Sequence, residues 1–209
     1  MVLYVQYGCG WAEQPKTWQN FDASPTLRYE RIPVIGRLYT KNATRFPFNV
    51  EYGDIVTGLP INSNSCDGLY ACHVLEHLAL DDFRIALRHS LDYLKPGGPF
   101  RLIVPDLRAL TIAYLNSHDP LAAHQFMRDS YLGLEARPRG LLSSVKSWLG
   151  NSSHLWMWDY NSLQNELRVA GFVDIRPCAF GDASDPLFNE VEESSRFVDA
   201  VAIEARKPG

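Results

Sequence analysis

Several short apolar runs in this chain are closed by a glycine or an aspartate, and a helical pattern recurs between the later runs. Val2-Leu3-Tyr4-Val5-Gln6-Tyr7 stops at Gly8-Cys9-Gly10. Thr17 to Phe21 stops at Asp22, and Asn49 to Tyr52 at Gly53-Asp54. Cys66 to Cys72 follows the polar turn Asn62-Ser63-Asn64-Ser65, and Phe100 to Val104 ends at Pro105-Asp106. Runs of four to seven residues bounded in this way read as buried strands. Between the fourth and fifth runs, Phe83, Leu87, Leu91 and Leu94 fall on one helical face, with Asp81 or Asp82 as cap and Pro96-Gly97-Gly98 as stop. A second helix is expected from Asn161, capped with Gln164, buried through Leu163, Leu167 and Ala170, and ended by Gly171. Phe172 to Cys178 and Phe197 to Ala205 complete seven strands, joined by the polar, acidic stretch Gly181 to Ser195, which reads as a long hairpin loop. Strands alternating with helices imply an α/β sheet with helices on both faces, and the helix-free final pair implies an antiparallel last strand.

A chain of 209 residues fits one domain, here 1–209, with residues 107–158 set apart. That block is helical but broken at Pro120, at Pro138-Arg139-Gly140 and at Gly150. It is too long for a plain crossover and reads as a lid or substrate-binding insertion. The net charge of −4 argues against a polyanion as main partner, so nucleic acid is disfavoured. No apolar stretch reaches membrane-spanning length and no signal-peptide core opens the chain, so a cytoplasmic protein off the membrane is expected. Cys9, Cys66, Cys72 and Cys178 form no CxxC pair and read as reduced thiols.

In an open α/β sheet, ligands sit at the carboxyl ends of the strands. Four groups fall there: Tyr7-Gly8-Cys9-Gly10, Asp22, Gly53-Asp54-Ile55, and Cys72 leading into His73-Val74-Leu75-Glu76-His77-Leu78. The glycines allow close approach of a ligand to backbone. Asp22 can accept from both hydroxyls of a ribose, and Asp54 from an exocyclic amine.

The ordered set resembles the class I S-adenosylmethionine-dependent methyltransferases, in particular a subfamily with a Gly-Cys-Gly first motif and a His-Val-Leu-Glu-His-Leu segment. The likeness covers Val2 to Val104 and resumes from His154 to Phe172, where His-x-Trp, Tyr-x-x-Leu and Ala-Gly-Phe follow in order. It implies a Rossmann-like, mostly parallel seven-stranded sheet and S-adenosylmethionine as cofactor. The methionine part would lie at Tyr7, Gly8, Cys9 and Gly10, the ribose at Asp22 and the adenine at Asp54 and Ile55. Cys72 and His73 would flank the cofactor, with His77 on the same side. One departure stands out: only twelve steps separate Gly10 from Asp22, so the first crossover helix is reduced to a turn.

Several residues carry a plainer reading. Cys9 suits a small space-filler, and Trp11, Trp156 and Trp158 suit packing. His73 and His77 have the i, i+4 spacing used for metals, but with no third ligand nearby and Glu76 off that face, no metal is expected. Asp106 reads as a helix cap ahead of a catalytic base. Methyl transfer needs positioning and water exclusion, and a base for some acceptors only. His154, where the lid meets the last helix, is the candidate base. Tyr114, Tyr131, Arg137, Arg139 and Lys146 give the lid aromatic rings and scattered cations but no basic stripe. The expected acceptor is therefore a small molecule or sugar-containing metabolite, methylated at oxygen or nitrogen. A non-catalytic binding module and another sulfonium-using transferase are the alternatives on this fold. A nicotinamide enzyme fits less well, because Gly-x-Gly-x-x-Gly is missing.

Overall fold

A computed structural model describes residues 2–12, 14–33, 36, 45–136 and 153–209. Seven strands, β1 (Tyr4–Tyr7), β2 (Trp18–Asp22), β3 (Val50–Tyr52), β4 (Gly68–Cys72), β5 (Pro99–Pro105), β6 (Val173–Pro177) and β7 (Ala200–Arg206), form one sheet in the order β3-β2-β1-β4-β5-β7-β6. The first five pair in parallel, and β7 runs antiparallel to both β5 and β6. The chain order reverses between β1 and β4, so their carboxyl ends open a crevice there.

Side chains alternate across the sheet, as the two-residue strand period requires. Val5, Tyr7, Leu69, Ala71, Phe100, Leu102, Val104, Val201 and Ile203 face the main core. Two helices, α2 (Leu80–Tyr93) and α5 (Tyr160–Ala170), close that core with Phe83, Leu87, Leu163 and Leu167. Tyr4, Trp18, Tyr70, Ile103 and Ala202 point the other way, around Phe188.

That second face departs from the expected pair of helical layers. The stretch read as a hairpin loop holds a 3₁₀ turn, Pro186–Glu190, that drives Phe188 fully into the aromatic cluster; a second, Ser194–Phe197, takes up the expected start of the last strand, which begins at Ala200 instead. Its acidic character has a partner in Arg101, the one charged residue of β5 and itself fully buried. Arg101 donates through Nε to Glu192 at 2.7 Å and through one terminal nitrogen to Glu204 at 2.9 Å and Asp182 at 3.1 Å. A buried guanidinium is tolerated only when its donors are met by acceptors, and here three carboxylates and the Ala179 carbonyl meet them. Hydrogen bonds to the Ser184 hydroxyl and amide and to Arg101 hold the Glu204 carboxyl below its usual range despite burial.

Two caps also differ. α2 begins at Leu80 behind Ala79, without a side-chain cap, so Asp81 and Asp82 lie inside the first turn, where they meet the positive helix end. α5 is capped by Asp159, whose carboxylate accepts the Ser162 amide while the Ser162 side chain reaches back. Gln164 turns instead to the Tyr160 hydroxyl at 2.9 Å. Gly171, at φ 104°, ends the helix in the left-handed conformation.

Helix α1 (Pro25–Glu30) follows β2, and α3 (Leu107–Asn116) and α4 (Ala122–Asp129) follow β5. No helix stands between β1 and β2 among the described residues. No residue of α3 or α4 is buried; the two pack on each other through Tyr114 and Phe126, ring centroids 5.7 Å apart. Residues 137–152, with Arg137, Arg139 and Lys146, lie outside the described residues. Where the chain returns, Trp158 bridges to Asp106 at the end of β5, and its indole packs on Phe83 at 4.2 Å. No described helix is long and apolar enough to cross a membrane.

Candidate functional site

The turn after β1 is tied to the end of β2 by its own amides. Gly8 donates to the Phe21 carbonyl at 2.8 Å, and the Cys9 thiol to the same oxygen at 3.3 Å. Gly10 donates to one carboxylate oxygen of Asp22 at 2.9 Å, and Ser24 donates to the other at 2.8 Å. Gly8 and Gly10 have φ of 71° and 66°, a region that costs other residues energy. A Cβ on Gly8 would stand 2.4 Å from Val74 Cγ2, whereas one on Gly10 would meet nothing within 4 Å. The turn is therefore pressed against the segment after β4 at Gly8 and open at Gly10. Each Asp22 oxygen keeps a lone pair for a further donor.

Asp54 stands one strand further along. Gly53 donates to the Asp22 carbonyl at 3.2 Å, so the two acids share adjacent strand ends. Asp54 accepts from the Val56 amide at 2.9 Å, which leaves its second oxygen available. Ile55 is buried beside it, and its carbonyl is held by His89 Nδ1 at 2.7 Å.

Of the other residues expected at the cofactor, Tyr7, Cys9 and Cys72 turn their side chains into the protein. The Tyr7 ring lies in the main core, its hydroxyl 3.1 Å from Ser90 Oγ and its pKa raised by burial. Only the backbone of Tyr7 belongs to the strand end. Burial also raises the Cys9 thiol pKa, with Asp22 adding to it, which fits a space-filler. Cys72 packs against the aromatic cluster of the second face, and burial pushes its thiol up to about 11.

After β4 the chain makes a 3₁₀ turn, Leu75–His77, rather than an α-helical start. His73 precedes it at φ 51°, a strained conformation for a residue with a Cβ. Its backbone amide donates to the Ile103 carbonyl, and its ring meets the Arg196 carbonyl at 2.9 Å and Glu76 at 3.4 Å. Burial works against its charge, but Glu76 and that carbonyl outweigh it and raise its pKa.

The expectation that Glu76 points off the histidine face fails here. With three residues per turn, the i, i+4 reading of an α-helix no longer applies. It is Glu76 and His77, not His73 and His77, that meet a third group: His154 Nε2 lies 3.9 Å from Glu76, and the His77 and His154 rings are 5.0 Å apart. One ligand atom from each of Glu76, His77 and His154 falls within 4.8 Å of the others. His154 is buried and, chiefly for that reason, its pKa is lowered. Its ring faces Glu76, which redirects the expectation of a free base. Asp106 caps α3 by accepting the Arg108 amide at 2.8 Å. A concavity of about 310 Å³ between α3 and α4, lined by Tyr114, Leu115 and Pro120 among others, includes none of the strand-end residues.

Residues 5–102 match a family model described as a methyltransferase domain. The whole chain has the fold of solved methyltransferases. One is a complex between the Trm112 methyltransferase activator and a putative methyltransferase of Haloferax volcanii, at TM-score 0.53 and 16% identity, covering 100% of this chain and 83% of that one. Another, a possible histamine N-methyltransferase of Thermotoga maritima, matches at 0.50 and 17%, covering 98% and 82%. Phosphoethanolamine N-methyltransferase 2 of Haemonchus contortus, in complex with S-adenosylmethionine, matches at 0.51 and 13%; the whole chain aligns to 49% of that protein. A search of curated proteins finds no significant match.

Proposed function

We propose that this chain transfers a methyl group from S-adenosylmethionine to oxygen or nitrogen of a small or sugar-containing acceptor. The observation that carries this reading is the bond from the Gly10 amide to Asp22, which joins the glycine cradle and a strand-end carboxylate into one surface at the switch point. The residues present fit the cofactor: open space over Gly10, free lone pairs on Asp22 for a diol, and a free oxygen of Asp54 for an amine. When bound, the cofactor supplies an electrophilic methyl on a sulfonium. The protein's part is to hold the acceptor in line behind that methyl and keep water out.

The acceptor is proposed to lie between the strand ends and the 107–158 segment, which returns beside them at His154 and Trp158. Phosphoethanolamine and histamine, acceptors in the names of two structural neighbours, are small amines, which is in keeping with this size class. The mild negative charge disfavours nucleic acid. Calorimetry with the demethylated product, S-adenosylhomocysteine, tests the cofactor. Labelled methyl donor offered to metabolite pools, total RNA and cell protein tests the acceptor. Label in RNA or protein with none in metabolites would reject the acceptor class, and tight binding without turnover would favour a scaffold.

A further inference from the structure

The Glu76 carboxylate is 1% exposed, and neither of its oxygens accepts a hydrogen bond. A buried, unpartnered carboxylate costs several kcal/mol, so a group that bonds to it is called for. The nearest positive candidate is His73, whose ring nitrogen stands 3.4 Å away, too loosely placed to serve both oxygens. Two further histidines converge on the same acid. His154 Nδ1 is also buried without a partner. His77 Nδ1 lies 3.0 Å from the Ser153 carbonyl; donation to that oxygen fixes the tautomer and leaves the lone pair on Nε2. Metal-binding histidines are commonly held this way, by a carbonyl on the other nitrogen.

From this geometry we propose that Glu76, His77 and His154 bind one divalent transition-metal ion of the zinc or cobalt class. Two imidazoles and a carboxylate suit such ions, whereas magnesium and calcium prefer oxygen alone. Around a tetrahedral zinc, ligand atoms lie about 3.4 Å apart, given bonds of about 2.1 Å. The 3.9 Å from Glu76 to His154 is near that, and with all three ligand atoms within 4.8 Å of one another side-chain rotations bring them onto one ion. The backbone is already set. Leu155 and Trp156 both donate to the Glu76 carbonyl, at 2.8 and 3.2 Å, and His154 donates to Tyr131 at 3.2 Å. The two chain segments that supply the ligands are thus clamped to each other. Three protein ligands leave a fourth position for water or an acceptor oxygen. This proposal goes beyond methyl transfer and does not depend on it.

The test uses the full chain, stripped with a chelator and titrated with cobalt(II) and then zinc. Wild type should take up one equivalent of cobalt, with visible absorption bands that zinc abolishes. Glu76→Gln and His154→Gln should each weaken binding on the order of 100-fold, whereas His124→Ala, on exposed α4, should not. Binding of S-adenosylhomocysteine to the same variants, read by calorimetry, shows that they remain folded and keeps this outcome separate from that of the cofactor reading. Should the variants fail to fold, carbethoxylation of wild type followed by mass spectrometry serves instead: zinc should protect His77, the partly exposed ligand, and leave His124 reactive. No stoichiometric cobalt uptake by wild type would overturn the proposal, as would unchanged affinity in both variants or absence of protection. Any of these would leave Glu76 as the ion-pair partner of protonated His73.

Discussion

The amide of Gly10 and the carboxylate of Asp22, 2.9 Å apart, bind the first turn to the second strand end, so Asp22 shapes the turn in which we propose the cofactor lies. Asp22→Ala should weaken binding of S-adenosylhomocysteine by about 1.5–3 kcal/mol, through loss of a charge-assisted bond and of the turn it holds. Calorimetry measures this. An unchanged dissociation constant would reduce Asp22 to a turn residue.

Gly8→Ala places a methyl group 2.4 Å from Val74 Cγ2 and strains a left-handed backbone. Overpacking of this kind costs about 1–3 kcal/mol, and the backbone adds about 1–2 kcal/mol. Val74→Ala in the same chain should recover the first part and not the second. Thermal denaturation of the four members of this cycle gives the coupling, and a coupling of zero would show that the two segments move apart freely.

Arg101→Met should destabilise the protein by about 3–5 kcal/mol at neutral pH, because Glu192 is left buried without its cation and Glu204 keeps only the half-exposed Arg176. The pH dependence has a definite sign. Asp182 and Glu204 have folded pKa values below their ordinary 3.8 and 4.5. The wild-type stability they contribute is therefore complete above those ordinary values and is lost below them, as pH falls through the lowered folded values. Most of it belongs to Glu204, since Asp182 is 41% exposed and screened by water. Chemical denaturation from pH 7 to pH 3 should show the gap between wild type and Arg101→Met narrowing towards acid. A gap that stays constant would show that the carboxylates are not what Arg101 serves.

Amide exchange across α3 and α4 should be faster than in β5, because residues 107–129 bury nothing while β5 sits in the sheet centre. Product binding should slow it if the segment covers the acceptor. Protection in α3 equal to that of β5, with and without ligand, would make the segment a fixed wall.

The strands were legible because their signal is local. Tyr4 to Tyr7 and Trp18 to Asp22 are apolar runs punctuated by turn residues, and β1, β2 and β4 end at or within a residue of the expected place. The clustering of Gly8, Gly10, Asp22 and Asp54 at neighbouring strand ends was legible for the same reason, since strand ends follow from strands. What escaped depends on distant contacts or on a few degrees of backbone. Choosing Asp159 over Asn161 as cap is a shift of two residues between similar side chains. The partners of Arg101 come from about 80 to 100 residues away, although a lone arginine in an apolar run does signal that carboxylates must arrive. Glu76 was misplaced because His-Val-Leu-Glu-His reads as α-helix, and a tighter turn rotates every side chain that follows.

Asp106 and Trp158, 52 residues apart in sequence, are paired neighbours in space. The excursion between them leaves and rejoins the sheet through a single narrow doorway. Loop closure depends only weakly on length, so this stretch can be lengthened, trimmed or exchanged while its two feet stay planted and the cofactor end stays untouched. If the acceptor lies against this stretch as proposed, one sheet could take on new acceptors by exchange of the part between those two feet.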